Sequence, residues 1–107
     1  MTWVVFLLDA RVETEFDAQP ADIRAKFWRI AEIMQSKGIG QLREPYVKHL
    51  EGLLWEMRMT GRDGIARAIY VAASGRRVVV LRVFAKKTQK TPRREIDIAL
   101  ARAAEVT

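Results

Sequence analysis

Arg58, Arg67, Lys86 and Lys87 are among the side chains of this sequence whose types could do chemistry, and each reads as readily as an ordinary surface cation. Lys48, His49, Arg82 and Lys90 are interspersed among them, and Glu56 stands two residues before Arg58. An arginine fork can hold two phosphate oxygens at once, and a lysine offers a compact point charge. The chemistry open to such a set is the binding of phosphates and the stabilisation of charge that builds on them. From Lys48 to Arg94 the chain carries twelve Lys or Arg against three Asp or Glu; residues 1–47 carry six against seven, and residues 95–107 one against three. A basic block this confined points to a polyanionic partner, nucleic acid first. With no cysteine and His49 as the sole histidine, the sequence excludes disulfides, thiolate metal sites and a His-rich metal cluster. No metal and no cofactor is expected.

These residues need a scaffold, and the chain supplies one. It has 107 residues, half of them hydrophobic, which suits one domain with a single modest core and argues against disorder. Trp3–Leu8 reads as a buried strand, too short for a membrane span and without the features of a signal peptide; the reading is a soluble, cytoplasmic protein with no membrane partner. A short helix is predicted over Arg11–Asp17. Pro20 opens a second helix, whose Ile23, Phe27, Ile30, Ala31 and Met34 recur at helical spacing until Gly38 and Gly40 stop it. Gln41–Gly52 reads as a loop. Strands follow at Leu53–Met59, Ile65–Val71 and Arg77–Phe84, joined by turns at Gly61–Gly64 and Ser74–Gly75. Lys86–Thr91 is a basic loop, and Pro92 opens a last helix with Ile96, Ala99, Leu100 and Ala103 inward. The fold class is α+β: an antiparallel or mixed sheet of about four strands, with two N-terminal helices packed on one face and a C-terminal helix, the helices grouped on one side.

The run Lys48–Arg58 (KHLEGLLWEMR), then Arg67–Tyr70 (RAIY), then Val80–Pro92 (VLRVFAKKTQKTP), then Glu95 and Ala99, resembles the phage-derived HigB-like branch of the RelE toxin superfamily, over roughly residues 2–104. The resemblance implies a RelE-like fold. It implies the toxin of a type II toxin–antitoxin system, an mRNA interferase that cuts mRNA on the translating ribosome. It also implies a HigA-like helix-turn-helix antitoxin as partner, with the second helix as a candidate docking element.

Metal-independent cleavage of RNA requires in-line attack by the 2′-hydroxyl, stabilisation of the equatorial phosphate oxygens and a proton for the leaving oxygen. The resemblance implies a phosphate-binding Arg67 and a key cation at the end of the last strand, Lys87 or Lys86. It makes Lys48 a contact to the RNA backbone. Arg58, on the preceding strand, sits where it can assist Arg67 or pair with Glu56. His49, Lys90 and Arg82 are further candidate RNA contacts. His49 offers a near-neutral acid or base, or is incidental. Glu56 is read as the carboxylate that orients the neighbouring cations. Some RelE relatives use a tyrosine near the last helix; here none follows Tyr70, so that route is absent. Tyr70 and Trp55 are expected in the core rather than stacked on bases. The alternative reading is a catalytically inactive RNA- or ribosome-binding module of phage origin.

Overall fold

The computed structural model describes residues 2–107. In chain order the elements are β1 (Val4–Leu7), α1 (Ala10–Asp17), α2 (Ala21–Lys37), a 3-10 turn (Ile39–Gln41), β2 (Val47–Glu51), β3 (Leu54–Thr60), β4 (Ile65–Ala73), β5 (Arg77–Ala85) and α3 (Arg93–Ala103). The strands form one mixed sheet in the order β1-β5-β4-β3-β2. β1 lies parallel to β5, and every other pairing is antiparallel. The architecture is α+β, as the element pattern predicts, with five strands rather than about four. The additional strand is β2, which falls inside the segment read as a loop. It is short and charged, and a register shift between His49 and Glu51 breaks its alternation, so it carries little strand signal.

Local signals fix the helices. The Asp9 carboxylate caps α1 by accepting the Arg11 amide at 3.0 Å. Pro20 precedes α2, and Gly38 ends it with a φ of 89°, a conformation that costs glycine little. The turn after β3 presses on the start of α2. The Arg62 amide donates to Asp22 at 2.6 Å, and a Cβ at Gly61 would lie 2.6 Å from an Ile23 side-chain carbon.

Two apolar layers sandwich the sheet. Val12 and Phe16 of α1 and Ile23, Phe27, Ile30 and Met34 of α2 bury themselves against Met57, Met59, Ala66, Ala68 and Val80. Ala99 and Ile96 of α3 pack with Ile69, Val79, Leu81 and Phe84 on the opposite face. The helices are therefore not grouped on one side. The cause is legible in β5, where Val78, Val79, Val80 and Leu81 are all buried, so both faces of the strand need cover. Leu100, expected inward, remains 39% exposed, because it borders an open hollow with Leu53, Ala103 and Val106.

A register shift between β4 and β5 at Ile69/Tyr70 inverts the alternation of β5 beyond Leu81, so that Val83 joins the α1/α2 layer and Phe84 the α3 layer. Arg82 sits at this irregularity. Its guanidinium reaches Glu15 of α1 at 2.6 Å and Glu95 of α3 at 2.7 Å. Glu15 also accepts from Arg102 at 2.8 Å and from the Val83 amide at 3.1 Å, while Arg102 donates to the Leu81 carbonyl at 2.8 Å. One ionic cluster thus joins helices from opposite faces of the sheet.

Candidate functional site

Strand alternation places Glu56 and Arg58 of β3 and Arg67 of β4 on the face that α3 covers only in part. The register sets Arg58 directly opposite Arg67, with Phe84 next in the row, and sets Lys48 of β2 opposite Glu56. Like charges paired across a ladder destabilise a sheet. A sequence that keeps the Arg58–Arg67 pair in a position where an apolar residue would fit departs from local stability, as functional sites do.

Arg67 is the largest fully buried side chain, only 1% exposed. The loop between β5 and α3 folds over it. Arg67 Nη2 donates to the Gln89 carbonyl at 2.7 Å, and Nη1 donates to Thr91 Oγ1 at 3.0 Å. The Thr91 hydroxyl in turn donates to Glu56 Oε2 at 2.5 Å, and Arg67 Nε faces Glu56 Oε1 at 3.5 Å with no hydrogen-bond partner of its own. Glu56 and Thr91 are also buried. A charge this far from water persists only with a counter-charge and satisfied donors. Glu56 provides the counter-charge, and the loop supplies the acceptors.

The same contacts fix the loop. The Lys86 amide donates to the Ile65 carbonyl at 2.7 Å, the Thr88 hydroxyl to the Lys90 carbonyl at 2.6 Å, and Arg67 grips Gln89 and Thr91. Lys87 and Lys90 are exposed on this loop, and Lys86 is half-buried at its start. Arg67 lines two concavities: one of about 140 Å³ with Lys48, Arg58, Glu56, Glu44 and Pro45, the other of about 260 Å³ with Lys86, Lys87, Phe84 and Glu95. Desolvation, followed by repulsion from Arg58 and Arg67, holds the Lys86 ammonium below the ordinary lysine value, partly offset by Glu56. Lys48 and Arg58 on one side and Lys86 and Lys87 on the other thus line two concavities that share Arg67. Among the described residues, Lys48, Arg58, Lys86, Lys87 and Lys90 make no ion pair.

Other candidates lie apart. Arg82 is engaged by Glu15 and Glu95. His49 points to the opposite face from Lys48, where Nε2 meets the Gly52 carbonyl at 2.7 Å and the ring packs edge-on against Trp55 at 5.2 Å. Trp55, expected in the core, is 39% exposed. Tyr70 is buried in the α1/α2 layer, as expected, and burial pushes its phenol well above the ordinary tyrosine value. No histidine or tyrosine side chain accompanies Arg67 among the residues lining the two concavities. Thr91 is the residue that sequence reasoning missed. A threonine in a polar loop, 24 positions from Arg67 and 35 from Glu56, carries no signal of its role.

No helix among the described residues is long and apolar enough to cross a membrane. The family model described as phage derived protein Gp49-like (DUF891) matches residues 14–104, and the chain belongs to that family. No curated protein matches the sequence.

Proposed function

We propose, with membership of that phage-derived family as the premise, that the chain is the toxin of a type II toxin–antitoxin pair and an endoribonuclease of mRNA on the translating ribosome. The kinship of the Gp49-like family with RelE and HigB toxins supports this reading. The observation that carries it is the Arg58–Arg67 juxtaposition, with Lys48, Lys86 and Lys87 gathered around it and Glu56 beneath. In this reading the 2′-hydroxyl of mRNA attacks the adjacent phosphorus, gives up its proton to solvent, and the P–O5′ bond breaks to leave a 2′,3′-cyclic phosphate. Arg58 and Lys87 hold the equatorial oxygens, and Lys86, its proton loosened by desolvation and then by its cationic neighbours, protonates the leaving 5′-oxygen. Arg67 acts from behind. It supplies field and holds the lysine loop in place, and it reaches phosphate oxygens directly only when Gln89 and Thr91 yield its Nη groups. Lys48 tracks the RNA backbone. The ribosome imposes the in-line geometry of the RNA, and a HigA-like antitoxin silences the site.

The burial of Arg67 favours a second reading. Its Nη groups are already engaged by Thr91 and Gln89, and no tyrosine or histidine side chain lines the concavities beside it. A protein that binds RNA or the ribosome without cutting has the same cationic face.

The test is a cell-free translation reaction with mapped mRNA ends, using wild type, Arg58→Ala, Lys86→Ala and Lys87→Ala, with naked RNA alongside. Cleavage confined to translated message and lost in the variants is the expected result. Arg67→Ala is a poor probe alone, since leaving Glu56 buried without its partner costs about 3–5 kcal/mol of stability. Salt-sensitive RNA binding by wild type without cleavage selects the second reading.

A further inference from the structure

A groove of about 540 Å³ runs between β2 and the first turn of α3 and takes no part in the chemistry described above. Its apolar walls are Leu50, Pro92 and Ile96. Lys48 and Lys90 stand at one end, and Lys48 also lines the concavity of Arg58 and Arg67. Thr91 lines the groove while its hydroxyl holds Arg67, so the groove adjoins the cationic site. At the far end Arg93 donates to both oxygens of Glu51, at 2.7 and 3.0 Å, and its Nε donates to Asp97 at 2.9 Å. This pins a planar guanidinium beside the apolar walls. The charge therefore falls from positive at Lys48 and Lys90 to a net −1 over Glu51, Arg93 and Asp97.

We propose that this groove is a nucleoside subsite, holding the base and ribose of the nucleotide that flanks the phosphate at the cationic site. The proposal rests on the cationic site being an RNA phosphate site. The volume lies within the roughly 300–1,000 Å³ of small-ligand pockets. A nucleotide has the complementary polarity: anionic at the phosphate, neutral and flat at the base. Single-stranded bases are held by apolar contact and by stacking on aromatic rings or guanidinium planes. An acidic peptide matches Lys48 and Lys90 but meets Glu51 and Asp97 at the other end.

The experiment titrates the full chain with an RNA dinucleotide and with its analogue lacking one base, following backbone amide shifts. The variants are Ile96→Phe, which fills the groove, Arg93→Ala, which removes the exposed plate, and Lys48→Ala. Thermal melts verify the fold, and Arg93→Ala alone decides if Ile96→Phe does not fold. Each groove variant is expected to weaken the intact dinucleotide by at least about fivefold and to leave the base-lacking analogue unchanged; Lys48→Ala weakens both. Equal affinity of wild type and groove variants for the dinucleotide overturns the subsite while leaving the phosphate site standing. Absence of binding by either probe to wild type overturns both. Capture in the groove of an acidic hexapeptide that excludes the dinucleotide overturns the subsite in favour of a protein partner.

Discussion

Replacing Thr91 by valine tests whether the buried Glu56–Thr91–Arg67 chain holds the lysine loop in place. Valine keeps the shape of threonine and opens no cavity, so the change isolates the hydroxyl. That hydroxyl accepts from Arg67 Nη1 at 3.0 Å and donates to Glu56 Oε2 at 2.5 Å. Hydrogen bonds to charged groups contribute about 1.5–3 kcal/mol each, and a charged group left buried without its partner costs at least as much. Relaxation returns part of this, because Arg67 Nε already stands 3.5 Å from Glu56 Oε1 and the two charges can close together. The net destabilisation is about 2–4 kcal/mol. At ~4–8 °C per kcal/mol for a domain of this size, Tm falls by roughly 10–30 °C. Urea unfolding at constant m-value measures the loss, with Thr91→Ser as the control that keeps the hydroxyl and loses less than about 1 kcal/mol. The double variant with Glu56→Gln should be non-additive by at least about 1 kcal/mol. Thr91→Val within about 0.5 kcal/mol of wild type refutes the reasoning and leaves the loop held by its backbone contacts alone.

Lys48→Ala should reduce RNA affinity and lower the slope of log K against log salt by about one counterion, measured by fluorescence anisotropy; an unchanged slope removes Lys48 from the phosphate contacts. If Lys86 donates the proton, the rate falls as pH rises through its lowered pKa, and Lys86→Arg, which stays protonated, moves that alkaline limb upward; an identical limb in both proteins assigns it elsewhere. Backbone donation, first from Arg62 and then from Ile23, holds the Asp22 carboxyl below its ordinary value, so its stabilisation is complete at neutral pH and is lost as the pH falls below about 4. Asp22→Asn should flatten that acid limb of a stability-against-pH curve, and an undiminished limb would show that other carboxylates produce it. Gly61→Ala places a methyl group against Ile23, and chemical denaturation should show a loss of about 1–3 kcal/mol.

Much of the fold was legible because it rests on local pattern. The inward face of α2 is the set the helical period selects, and the turns at Gly61–Gly64 and Ser74–Gly75 join the predicted strands. β2 was not legible, because a short charged strand with an irregular register has no clean alternation. The placement of α3 was readable in principle from the unbroken apolar run of β5, which demands cover on both faces. Within the site, the cations were visible as a charge block, but their division of labour was not. Burial of Arg67 and the engagement of Arg82 depend on residues distant in sequence, Thr91 and Gln89 for one, Glu15 and Glu95 for the other. No local signal tells a paired arginine from an unpaired one.

The cluster around Glu15 bears on how copies of this chain coexist at high concentration. β1 pairs only with Arg77–Val80, so the rest of β5 forms a bare margin of the sheet, the kind of template on which a second molecule can build aggregates. Its Val83 amide and Leu81 carbonyl are instead engaged by Glu15 and Arg102 of the same molecule. Strand-swapped or fibrillar species are therefore expected to begin at β2, the opposite margin, where solubility is most open to engineering.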